Sequence, residues 1–167
     1  MNDHLMRKPP ARRLGQQALV LHENADLGGE LCVLLVDPVY RDGYTLPGGS
    51  AEADELPHLA ARRHLESQTG LVLPLRTILT VDYVSRQNYP EGINFVYAGG
   101  IVTPRQAKAV TLHRPPANIR ALHWVPCYLL DTVMPPDQAR RVHDAWDAWE
   151  HGSGRPLLLR GIPVPIR

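Results

Sequence analysis

The sequence predicts an α/β fold in which short strands form a sheet and helices pack on it. Three observations predict it. Apolar runs rich in Val, Leu and Ile recur along the chain at strand length. Two segments free of helix breakers interrupt them. The 16 prolines among 167 residues, about twice the usual 5%, lie mostly between apolar runs and so mark many short elements.

The elements follow in order. Leu14 to His22 and Glu30 to Val36 read as two strands joined by the turn-rich stretch Asn24 to Gly29. Asp37 and Pro38 stop the second strand, and Arg41, Asp42 and Gly43 turn the chain before Tyr44 to Gly49. A helix is predicted over residues 55–69, with Pro57 tolerated in its first turn and Gly70 as its C-terminal stop. Leu71 to Val84, Ile93 to Val102 and Ile119 to Val125 are further strand candidates. Over 137–150, Val142, Ala145, Trp146 and Trp149 recur at helical spacing. The two tryptophans read as core anchors. Pro156 to Leu159 could add an edge strand before Pro163 and Pro165 end it.

Length and charge bound the function classes. One hydrophobic core serves about 100 to 200 residues, so the reading is a single domain over 12–160, with a flexible basic tail over 1–11 and a C-terminal tail over 161–167. No apolar run is long enough to span a bilayer, and the N-terminus lacks the apolar stretch of a secretory signal, so a cytoplasmic protein without a membrane partner is expected. The formal charge of +1 is unevenly spread: residues 1–13 and 152–167 each carry +3, which leaves −5 for 14–151. A body of that sign is a poor polyanion binder, so nucleic acid is excluded as a partner at this stage. Cys32 and Cys127 suggest neither a disulfide framework nor a zinc site.

One spacing carries chemistry: Gly49, five residues, Glu55, seven residues, Arg63, one residue, Leu65, then Gly70 and Leu71. It resembles the Nudix box of the MutT-like hydrolases, G-x5-E-x7-R-E-U-x-E-E-x-G-U with U a bulky aliphatic residue. Leu46 to Gly49, Glu52, Ala60 and Ala61 also look like the family. Six such matches coincide by chance on the order of once in several thousand chains of this length. The resemblance implies a Nudix-type α/β/α sandwich with a mixed β-sheet. It implies Gly49, Arg63, Leu65 and Gly70 as structural residues of the box, and Mg or Mn as the cofactor of pyrophosphate cleavage. In the family, Glu55 and Arg63 are thought to pair and brace the loop against the helix.

The chain departs from that pattern where the chemistry sits. Carboxylates at i, i+3 and i+4 of one helix converge on a hard cation, and positions 64, 67 and 68 share one arc of about 100° on an ideal helix. Here they are His64, Ser67 and Gln68, while Glu66 projects away. Glu52 and Glu55 remain as candidate metal ligands, and Glu55 and His64 as candidate catalytic groups. Tyr44, Tyr83 and Gln68 are candidate substrate contacts, followed by Asn94 and Tyr97, with Arg41 or Arg86 for phosphate. The pocket is expected between the Gly48 and Gly49 loop, the box helix and the loops after the strands.

The expected function is a Nudix-fold protein that binds a nucleotide or another phosphorylated small molecule, with metal-dependent hydrolysis weak or absent. Two alternatives stand beside it: an active hydrolase of nucleoside-diphosphate-linked compounds using Mg or Mn, and non-hydrolytic chemistry at His64. A Nudix transcription regulator is disfavoured because residues 151–167 are too short for an added DNA-binding domain. The apolar tail Pro156 to Ile166 could pair across a homodimer interface.

Overall fold

The structure, a computed structural model, describes residues 11–85, 90–156, 158–159 and 162–163. The predicted N-terminal tail up to residue 10, Arg86 and most of the tail proposed for dimer contact lie outside them.

The strands are β1 (Arg13–Asn24), β2 (Glu30–Pro38), β3 (Gly48–Ser50), β4 (Thr77–Val84), β5 (Gly92–Ile101), β6 (Ile119–Pro126) and β7 (Arg155–Pro156). They form one sheet in the order β6-β2-β1-β5-β4-β7, with β3 pairing β1. β1 and β5 run parallel over Arg13 to Leu21, and the other pairs are antiparallel. The sheet is therefore mixed. β8 (Leu158–Leu159) and β9 (Ile162–Pro163) pair separately.

The period-2 alternation of β1 divides the core between the two faces of the sheet. Ala18 and Val20 pack with Leu34, Tyr97 and the helical residues Ala61, Leu65, Ala107 and Val110. Leu19 and Leu21 pack with Val33, Val96 and the helical residues Ala139, Val142 and Ala145. Helices α1 (Pro57–Thr69) and α2 (Pro104–Leu112) thus cover one face, and α4 (Pro136–Glu150), preceded by the short α3 (Leu130–Val133), covers the other. This is the α/β/α sandwich.

α1 begins at Pro57, with Leu56 at its N-cap and no side-chain cap bond, and ends where Gly70 turns left-handed (φ 75°) and donates its N–H to the Glu66 carbonyl. α2 was not foreseen, although its capping box, with Thr103 and Gln106 closing on each other's backbone N–H, is a sequence signal. The predicted strand from Leu71 begins only at Thr77. Leu71, Leu73 and Leu75 are buried in alternation, but Pro74 has no N–H for a ladder, and this stretch packs as extended chain.

Candidate active site and cavity

The chain from Leu46 to Glu55 is fixed first by the sheet. β3 pairs the first half of β1, with Gly15 opposite Ser50 and Gln17 opposite Gly48, while β2 takes the second half of the same edge. The approach at Gly48 is close: a Cβ there would lie 2.0 Å from the Gln16 carbonyl oxygen. Only glycine allows β3 to sit at this distance.

Glu55 and Arg63 then brace the loop. Arg63 donates through Nε to Glu55 Oε1 and through Nη2 to Glu55 Oε2, each at 2.7 Å, and the Glu52 N–H donates to Oε2 at 2.9 Å. These donors, Arg63 first and the Glu52 N–H second, hold the Glu55 carboxyl down at about 2. Glu52 itself is 76% exposed and stands 3.8 Å from Arg63.

The helix arc splits. His64 Nε2 lies 2.9 Å from the Ser50 carbonyl, to which it must donate, and its ring rests on Gly49, where a Cβ would come within 2.3 Å of it. Gln68 is 8% exposed and grips Gly48 in both directions, accepting from its N–H at 2.8 Å and donating to its carbonyl at 2.9 Å. Ser67 and Glu66 are exposed. Among the described residues, no group of three or more His, Cys, Asp or Glu could hold a metal ion. Of the two candidate metal ligands, Glu55 already accepts three hydrogen bonds, whereas Glu52 is held only by the looser ion pair with Arg63. Mg²⁺ is usually held by one or two carboxylates, with water and substrate phosphates completing its octahedron, and of those two candidate ligands only Glu52 has oxygens outside a hydrogen bond.

A cavity of about 330 Å³ opens on the far side of this loop. Its lining includes Gly48, Gly49 and Ser50, the β1 residues Arg13, Gly15 and Gln17, Asn94 of β5, Arg41, and Gln138 and Arg141 of α4. No residue of α1 is among its walls. The expected pocket is therefore displaced: β3 is part of the sheet, His64 and Gln68 close onto it from the α1 side, and the open space is left on the α4 side.

Polar contacts order the cavity. Arg13 donates to Asn94 Oδ1 at 3.1 Å, and Arg41 to Gln138 Oε1 at 3.1 Å. Arg141, 8% exposed, donates to Asp82 Oδ2 at 2.6 Å and to Gln17 Oε1 at 3.0 Å. Arg41 Nε is buried without a hydrogen-bond partner among the described residues. Burial first, then the charges of Arg141 and Arg41, lower the pKa of Arg13.

Of the substrate contacts foreseen, Asn94 and Arg41 line the cavity. The other described candidates lie elsewhere. Tyr44 stacks on His123 with ring centroids 4.5 Å apart. Tyr83 is 58% exposed on β4 and donates to Glu91 Oε2. Tyr97 is fully buried on the α1 side, and Gln68 turns to the loop. Missed were Gln17, Gln138, Arg13 and Arg141. Arg13, whose charge the sequence groups with the basic N-terminal residues 1–13, is the first residue of β1. Arg141 carried a readable signal, a charge on the buried stripe of α4 beside Val142.

Comparison with known proteins adds the family. The NUDIX domain family model matches residues 13–149, whereas no curated protein matches the chain significantly. Among solved structures, a mutT/nudix family protein from Listeria innocua superposes with a TM-score of 0.69 at 19% identity, over 86% of this chain and 98% of that one. The NUDIX domain of Shewanella oneidensis NrtR complexed with ADP ribose gives 0.66 at 18%, over 89% and 99%. NrtR complexed with a 27mer DNA gives 0.65 at 19%, over 84% of this chain and 63% of that one. This last likeness corrects the exclusion of nucleic acid: a protein that shares this fold is found with DNA. Net charge averages over a whole surface, whereas binding is decided by local patches, so the −5 body cannot carry that exclusion.

Proposed function

The chain belongs to the NUDIX domain family, and on that premise we propose that it binds a nucleotide or another phosphorylated small molecule, with metal-dependent pyrophosphate hydrolysis weak or absent. The observation that carries the reading is the commitment of the helix arc to the protein itself. Gln68 is taken up by both backbone groups of Gly48, and His64 by the Ser50 carbonyl.

The remaining candidates support the same reading. A general base works best with a pKa near the operating pH, and Glu55, held at about 2 between Arg63 and the Glu52 N–H, is a poor proton acceptor at neutral pH. Its role is positioning: it ties the loop to α1. Divalent metal, when bound in a site of this kind, neutralises phosphate charge and activates water. The box here offers it Glu52 alone. Binding needs no such centre, because the α4-side cavity brings arginine and amide donors to the same loop.

The test is a panel of nucleoside diphosphate compounds, beginning with ADP-ribose, the compound seen with the NrtR domain. Each is incubated with the protein and Mg²⁺ or Mn²⁺, while phosphorus NMR follows cleavage and thermal shifts follow binding. Stabilisation by at least one phosphorylated compound without cleavage is expected. Metal-dependent turnover abolished by Glu52→Gln would overturn the reading in favour of an active hydrolase. Chelator-resistant chemistry abolished by His64→Ala would overturn it in favour of the non-hydrolytic alternative.

A further inference from the structure

Resting on the reading that the α4-side cavity is the ligand site, we infer that it is built to grip an anionic group of the ligand, a phosphate or a carboxylate, between Arg13 and Arg41. Among the described residues, three guanidinium groups line the cavity, against a single lining carboxylate, the exposed Asp137. Only Arg141 is met directly by a buttressing acid among the described residues, Asp82. With both acids counted, the cluster remains positive, although residues 14–151, which supply all of it but Arg13, carry −5 by sequence.

The way Arg13 and Arg41 are held points to the missing partner. A guanidinium carries five N–H donors in a planar fork that matches the paired oxygens of a carboxylate or phosphate. Here each fork is oriented by one neutral amide oxygen, Asn94 Oδ1 for Arg13 and Gln138 Oε1 for Arg41. An amide aims the group without neutralising it. Arg41 Nε is buried with no acceptor among the described residues, and the Cζ of the same guanidinium lies over the Tyr40 ring, 5.9 Å from its centroid. An enclosed, unpaired donor on a cation costs free energy that an arriving anion recovers.

Gly15 keeps the grip open. A Cβ there would lie 2.1 Å from Asn94 Oδ1 and 2.5 Å from Arg13 Nη1. Any other residue would drive apart the pair that aims Arg13. A neutral ligand group such as a bare nucleoside leaves these charges as they are, so the cavity discriminates by charge.

Calorimetric titration of the full chain with inorganic phosphate, pyrophosphate, succinate and adenosine tests this. Variants Arg13→Gln and Arg41→Gln remove one fork each, Arg41→Lys retains charge without the fork, and Arg62→Gln, exposed on α1, controls for net charge. Phosphate or pyrophosphate should bind, adenosine should not, and each glutamine variant at the cavity should weaken the anion by about tenfold or more while Arg62→Gln leaves it unchanged. Succinate binding in place of phosphate would identify a carboxylate as the group gripped. Equal weakening by Arg62→Gln, or none by the cavity variants, overturns the inference. If ADP-ribose or another compound of the panel binds all variants alike, the inference falls and the proposed function stands. If anions bind through Arg13 and Arg41 but no phosphorylated compound of the panel binds more tightly than phosphate, the proposed function falls and the anion grip stands.

Discussion

Glu55 receives three donors on two oxygens, and this decides how the loop responds to acid. A carboxyl held below its usual range stabilises the fold fully above its unfolded pKa, and that contribution is lost as pH falls through the folded value. For Glu55 the window runs from the ordinary 4.5 down to about 2. Glu55→Gln should cost about 1 kcal/mol at neutral pH and flatten the decline of melting temperature across this window, as thermal melts at a series of pH values would read. Gln68 makes a second prediction. A glutamate there could still accept from the Gly48 N–H, but its other oxygen would face the Gly48 carbonyl, where the amide now donates at 2.9 Å. The combined variant His64→Glu, Ser67→Glu and Gln68→Glu should therefore melt lower in chelator, by about 1 to 3 kcal/mol, and recover on adding Mg²⁺. The parent should melt alike in both. If metal affinity does not rise in the variant, the assignment of the arc is wrong.

At the scale of elements, what the sequence revealed was whatever local chemistry dictates. Pro57, Gly70 and the lack of breakers between them set α1 to within two residues of the predicted range, whereas the strand expected from Leu71 begins only at Thr77. What Pro74 hid was pairing, which depends on a neighbour far along the chain. The box residues could be placed from spacing alone because loop and helix are contiguous. The cavity could not, because Arg13, Arg41, Asn94 and Arg141 meet only once β1, β5 and α4 are assembled. α2 was legible and overlooked: Thr103 Oγ1 accepts from the Gln106 N–H while Gln106 Oε1 accepts from the Thr103 N–H. Thr103→Ala should lower stability by about 1 kcal/mol, measured by denaturant unfolding. The loss belongs to the fold and not to the ligand site, since α2 packs on the face opposite the cavity, so binding by the folded variant should be unchanged.

At the scale of the whole molecule, β3 is the partition between two chemistries. On one side α1 closes onto it through His64 and Gln68; on the other its backbone forms part of the cavity wall. Three residues therefore couple the box to the ligand space, and they depend on Gly48 approaching β1 as closely as it does. With alanine at 48, the Cβ would meet the Gln16 carbonyl oxygen at 2.0 Å and the Gln17 Cα at 2.8 Å, both backbone atoms that cannot swing aside. β3 would have to lift from β1, breaking the Gln68 clamp and widening the cavity together. Gly48→Ala should thus lower stability by about 2 kcal/mol or more and also abolish anion-induced thermal stabilisation. Gln68→Ala, which removes the clamp and leaves the β1 approach intact, should lower stability while retaining most of that stabilisation. Hydrogen exchange would separate the two cases: amides of Gly15 to Gln17 and Gly48 to Ser50 should lose protection in Gly48→Ala, whereas in Gln68→Ala the loss should centre on Gly48, whose N–H is the one that Gln68 accepts. Equal protection at Gly15 to Gln17 in the parent and in Gly48→Ala would refute the partition.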